Sequence, residues 1–104
     1  MNEFTFGDTT EVLYLFTNAL TRRNYGAAVS KDDTEIEVYK DCKRVFTYSI
    51  AFDDAFNGQP TIHVTLTPEA GDDMYRLHFS KNNSRANAST VVEELFKQMR
   101  SLNL

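Results

Sequence analysis

Phe46-Thr47-Tyr48-Ser49-Ile50-Ala51-Phe52, followed by Ile62-His63-Val64-Thr65-Leu66, is the stretch that decides the fold. In both segments large apolar residues take turns with Thr, Ser, Ala or His. A period of two describes strands with one face in a core and the other in water. The pattern extends outward in both directions. Ile36 and Val38 share a face against Glu35, Glu37 and Tyr39, while Tyr75, Leu77 and Phe79 oppose Met74, Arg76, His78 and Ser80. Four strands are counted this way between Ile36 and Phe79.

Turn-forming residues separate them: Asp41-Cys42-Lys43, then Asn57-Gly58-Gln59-Pro60, then the run from Pro68 to Asp73. Each connection is short enough for a hairpin, so an antiparallel meander is the simplest topology. Ala27 to Ser30 has room for a short extra strand turning at Lys31-Asp32-Asp33, and the count of four leaves it out.

An amphipathic helix flanks the strands on each side. The first is expected from Asp8, with Glu11 three positions on as the other half of a capping box. Val12, Leu15, Phe16, Ala19 and Leu20 recur at helical spacing, Arg22 and Arg23 suit the helix C-terminus, and Gly26 reads as the stop. The second helix is expected from a Thr90/Glu93 box, with Val91, Val92, Leu95, Phe96, Met99 and Leu102 as its stripe and Glu93 paired with Lys97. Both stripes need an apolar partner, and the sheet's aromatic face is the large one on offer. The expected architecture is therefore α+β: a two-layer sandwich, a four-stranded antiparallel meander with an N-terminal and a C-terminal helix packed on one face. Phe46, Tyr48, Phe52, Tyr75 and Phe79 are assigned to its core.

Composition bounds what such a chain can do. Its 104 residues read as one α+β domain, 1–104, long enough for a core without disulfides or metal. A net charge of −4, from 15 acidic against 11 basic residues, argues against general nucleic-acid binding, which needs a dense cationic footprint. Cys42 is the single cysteine, which excludes an internal disulfide and fits a reducing, cytoplasmic setting. The start Met1-Asn2-Glu3-Phe4-Thr5-Phe6 lacks the cationic, then apolar, order of a signal peptide. Val12 to Phe16, the longest apolar run, is far too short to span a membrane. Asn82-Asn83-Ser84 and Asn87-Ala88-Ser89 match a glycosylation triplet and read as chance without a secretory signal.

The polar face is what remains for work. A register that keeps the apolar residues together sets His63 opposite His78 and Thr65 opposite Arg76. Thr47 and Ser49 stand beside them, with Glu35, Glu37 and Tyr39 at the edge. Two histidines are short of a metal site, since a third ligand is not fixed by spacing. The aromatics of the central strands point to the core, so the base-stacking platform of an RNA-binding sheet is missing. Cys42 has Lys40, Lys43 and Arg44 nearby but lacks a base within reach. Asp53-Asp54 and Asp72-Asp73 fall in loops at opposite ends of the meander, too far apart for one acid–base pair. The run beginning at Asp53 fails as a calcium loop, with Ala55 at its third position and Val64 at its twelfth. Phe56, at a hairpin tip, is expected to fold back over the edge of the core.

These residues point to a non-enzymatic protein-interaction module: an adaptor, a small inhibitor or a self-associating accessory protein. It would use the polar sheet face (Glu35, Glu37, Tyr39, Thr47, Ser49, His63, Thr65, Arg76, His78) or an edge strand. Its partner would be another protein or a second copy, with a homodimer among the outcomes, and no cofactor, catalytic set or metal is assigned. Compact size and acidity also suit a phage-type or mobile-element inhibitor. The first alternative is a nucleic-acid-associated regulatory protein relying on Arg22, Arg23, Lys81 and Arg85. The second is a small enzyme or metal-binding protein in which His63, His78, Cys42 or Glu35 meet.

Overall fold

Alternation in the sequence becomes a five-stranded antiparallel sheet in the computed structural model, which describes residues 4–56, 58–69, 73–80 and 87–102. Asn57, Ala70 to Asp72, Lys81, Arg85 and the Asn82-Asn83-Ser84 triplet, all used above, lie outside the described residues. The element order is α1 (Phe6–Arg22), β1 (Gly26–Val29), β2 (Glu35–Lys40), β3 (Lys43–Phe56), β4 (Gln59–Pro68), β5 (Tyr75–Ser80) and α2 (Ala88–Ser101). The strands lie side by side in chain order, each antiparallel to the next. The α+β class and the meander stand, and the count of four strands is corrected to five.

The added strand is β1, one residue earlier than Ala27–Ser30. It pairs with β2 from Gly26 opposite Tyr39 to Val29 opposite Ile36. At four residues, two of them Ala, it is too short to declare a period. Side chains in the turn after it lock the pairing. Ser30 and Thr34 hydroxyls both donate to the Asp32 carboxylate, at 2.7 and 2.8 Å. Those two bonds hold the Asp32 carboxyl below its ordinary value. Gly26 does not stop α1. Asn24 takes the left-handed conformation (φ 66°), and Tyr25 and Asn24 donate N–H bonds back to the Leu20 and Thr21 carbonyls in a Schellman arrangement.

Both helices begin one turn or less before the expected residue. Thr5 is the N-cap of α1, and Asp8 sits three residues inside it, its carboxylate accepting the Thr5 N–H at 2.7 Å. Asn87 caps α2, its side-chain oxygen accepting the Thr90 N–H at 3.0 Å. In each case the residue read as the cap is the cap's partner. Lys97 pairs with Glu94, at 3.2 Å, rather than with Glu93.

The helices close one face of the sheet. Phe16 of α1 meets Tyr48 edge-on at 4.8 Å between ring centroids and Phe96 of α2 at 5.1 Å, and Phe46 meets Tyr48 at 5.3 Å. The Tyr48 hydroxyl reaches the Leu95 carbonyl at 3.4 Å, and burial pushes its pKa upward. Val12, Leu20, Ile36, Val38, Ile62, Val64, Leu66 and Leu95 fill the same core. Phe52 and Phe79 are partly buried against it. Tyr75 is corrected: at the start of the edge strand β5, it is 36% exposed.

Candidate functional site on the polar sheet face

Period-two alternation dictates which polar side chains share the face away from the helices, and the register fixes their rows. Glu35, Ser49, Thr65 and Arg76 form one row across β2, β3, β4 and β5. Glu37, Thr47 and Thr67 form the row on one side of it. Ala51, His63 and His78 form the row on the other. The expected oppositions of His63 with His78 and Thr65 with Arg76 are both present. The middle of the face is a flat patch of small hydroxyl side chains.

The two ends of β3 depart from that order, and each departure has the same cause. Near the first hairpin Tyr39 lies opposite Arg44 while Val38 lies opposite Phe46, so β3 holds one extra residue there. Such a bulge reverses the alternation beyond it. Arg44, an even-numbered residue in a strand whose even positions are otherwise apolar up to Phe52, thereby reaches the polar face. Its guanidinium contacts Glu37 at 2.7 Å and grips both oxygens of Glu69 at 2.9 and 3.3 Å. The Tyr39 hydroxyl joins Glu37 at 3.3 Å. Hydrogen bonds donated to Glu69 and then to Glu37 push the Arg44 pKa upward, and the bond from Arg44 lowers that of Glu37. A shallow groove follows, lined by Glu35, Glu37, Arg44, Thr47, Thr67 and Glu69. All three charges of the cluster are solvated, so it orders side chains more than it stabilises the fold.

The second bulge lies between Asp53 and Phe56. Thr61 faces Asp53 and Gln59 faces Phe56, three steps along β3 against two along β4. The Asp53 carboxylate accepts the Ala55 N–H at 3.0 Å and holds the extra residue in place. Phe56 is thereby turned from the core side to the polar face. Its ring stands edge-on to His63 at 4.7 Å and to His78 at 5.1 Å, and the two imidazoles are 4.4 Å apart. The expectation that Phe56 folds back is met, but onto the histidines rather than the edge of the core. Perpendicular ring pairs of this kind are favourable beyond the area they bury. Inside the cluster the His63 Nε2 is buried and, among the described residues, has no hydrogen-bond partner. Thr61, in the next row, is 2% exposed.

The remaining sequence candidates are not brought together. Asp53 and Asp54 belong to β3, not to a loop. Cys42 is exposed at the first hairpin, where it and Asp41 take left-handed conformations (φ 66° and 53°), as a two-residue turn of this twist requires. His63 lies opposite Ala51, eight residues along β3 from Lys43 and so roughly 25 Å from the cysteine. Glu35 is two strands from His63, roughly 10 Å. Among the described residues no three of His, Cys, Asp and Glu cluster to hold a metal.

Sequence reasoning missed Arg44, Glu69 and the role of Phe56. A signal existed: Arg44 and Asp54 each put a charge where the alternation calls for an apolar residue. A charge at an inward position marks a place for the strand to change phase.

No family model, curated protein or solved structure matches this chain. Among the described residues no helix is long and apolar enough to cross a membrane.

Proposed function

We propose that the protein is a non-enzymatic interaction module whose docking surface is the polar sheet face, for another protein or a second copy of itself. The observation that carries this reading is the aromatic cluster of Phe56, His63 and His78, built on that face by a bulge. It supplies an apolar anchor beside the hydroxyl patch of Thr47, Ser49 and Thr65. Aromatic anchors ringed by small polar groups suit protein contacts, because the small groups desolvate at modest cost. Arg44, Glu37 and Glu69 at the far end would set orientation and approach rather than affinity. The edge strand β5 is a second route, supported by Met74 and Tyr75, which stand exposed at its start.

The test is a triple substitution, Thr47→Arg, Thr65→Arg and Arg76→Glu, on a face where none of the three is a core residue. Association, read as solution mass by light scattering across concentrations and as retention of a captured partner, is expected to disappear. The thermal midpoint should stay close to wild type. A folded triple variant that associates as the parent does would remove the face from consideration and leave the edge.

A further inference from the structure

On the opposite layer, α1 and α2 leave between them a groove of about 400 Å³ that the sheet-face reading does not use. Leu15, Ala19, Val92 and Phe96 form its apolar floor, and Arg22, Arg23, Lys97 and Arg100 stand around it. The chain as a whole carries −4, so this concentration of positive charge runs against the rest of the molecule. Two of the cations have prior engagements. Arg23 lies over the Phe96 ring at 4.0 Å with a bond to the Ala19 carbonyl, and Lys97 pairs with Glu94. Arg22 and Arg100 are exposed and, among the described residues, form no ion pair.

We infer that this groove binds a short acidic and apolar segment of a partner protein, carboxylates meeting Arg22 and Arg100 while an apolar side chain enters over Leu15 and Val92. Charge complementarity selects an anionic occupant, and guanidinium groups take carboxylates in a two-point fork. The apolar floor selects one with side chains to bury. A nucleic-acid backbone fits less well, because it offers no apolar group for the floor. A long polyanion would also meet the negative charge of the rest of the chain.

The test uses a fluorescein-labelled short peptide of alternating glutamate and leucine, read by anisotropy against the full chain. Saturable binding is expected, about tenfold weaker in an Arg22→Glu/Arg100→Glu variant. That variant should in turn gain affinity for the lysine–leucine counterpart. Circular dichroism checks its fold, and if the reversal fails to fold, Arg22→Gln/Arg100→Gln is tested with the same probe. Absence of saturable binding, or equal binding by the variants, overturns the inference. Tighter binding of an oligothymidylate of matching length overturns it too, and gives the groove to a phosphate backbone.

Discussion

The two ends of β3 solve the same geometric problem with different chemistry. Each carries a bulge of one residue, each bulge reverses the strand's alternation, and each sends a side chain to the polar face that would otherwise point at the core. At the first hairpin the delivered residue is Arg44, which gathers Glu37, Glu69 and Tyr39 into an exposed ionic cluster. At the second it is Phe56, which gathers His63 and His78 into an aromatic one, with Phe56 and His63 half-buried and His78 exposed. Water decides their worth. Solvent screens the first and weakens each contact in it, whereas the second removes ring surface from water and keeps what it gains. One end is suited to steering, the other to holding.

Phe56→Ala is the heaviest blow to this contrast. It strips the ring from both histidines, and a partly buried aromatic should cost about 1–2 kcal/mol in urea unfolding. A loss near zero would mean that the ring spends its time in solvent. Coupling comes next. In a double-mutant cycle Phe56→Ala and His63→Ala should interact by about 0.5–1.5 kcal/mol. The pair Phe56→Ala and Arg44→Met should be additive, because the two residues stand at opposite ends of β3, roughly 40 Å of extended strand apart, and share no partner. Measurable coupling between the ends would show that the sheet links them.

Much of this molecule was legible because alternation is a strong signal with one solution. Once Phe46, Tyr48, Ile50, Ile62, Val64 and Leu66 must share a face, His63 can only meet His78 or a residue two positions away. What was not legible lies where that signal stops. Gly26–Val29 is too short and too small-chained to declare a period, and its partner strand supplies the reason it is a strand. Asp8 and Thr90 read as caps in the sequence because acceptor side chains serve equally well as a cap or as the third residue of a helix. Thr5 and Asn87 a turn earlier decide between the two. The bulges were hidden by extrapolating the alternation through Arg44 and Asp54, the two residues that break it.

Smaller effects sharpen the comparison at the turns and charges. Cys42 holds a left-handed conformation that glycine adopts without strain, so Cys42→Gly should stabilise the first hairpin by about 0.5 kcal/mol, read as a raised thermal midpoint. The reverse experiment at the second hairpin, Gly58→Ala at φ 77°, should lower it. Arg44→Met should have the slightest effect, and that effect should shrink in salt while the Phe56 effect does not. Acid should erase it as well. The Glu37 carboxyl is held below its ordinary value in the fold, so its stabilisation is present above the unfolded-state pKa, about 4.3, and is lost as pH falls through the folded one. The difference between parent and Arg44→Met should therefore close at pH values well below 4.3. A gap that persists there would assign it to packing of the arginine stem instead.

The bulge after Asp53 turns Phe56 out of the core and onto the histidine pair. Nuclear Overhauser contacts from the Phe56 ring protons test it directly in solution. Cross-peaks are expected to the imidazole protons of both His63 and His78, and none to the Ile62 or Phe79 side chains on the helix side. Cross-peaks to Ile62 and Phe79, with the imidazoles silent, would place the ring on the core side and rule out the turn onto the histidines.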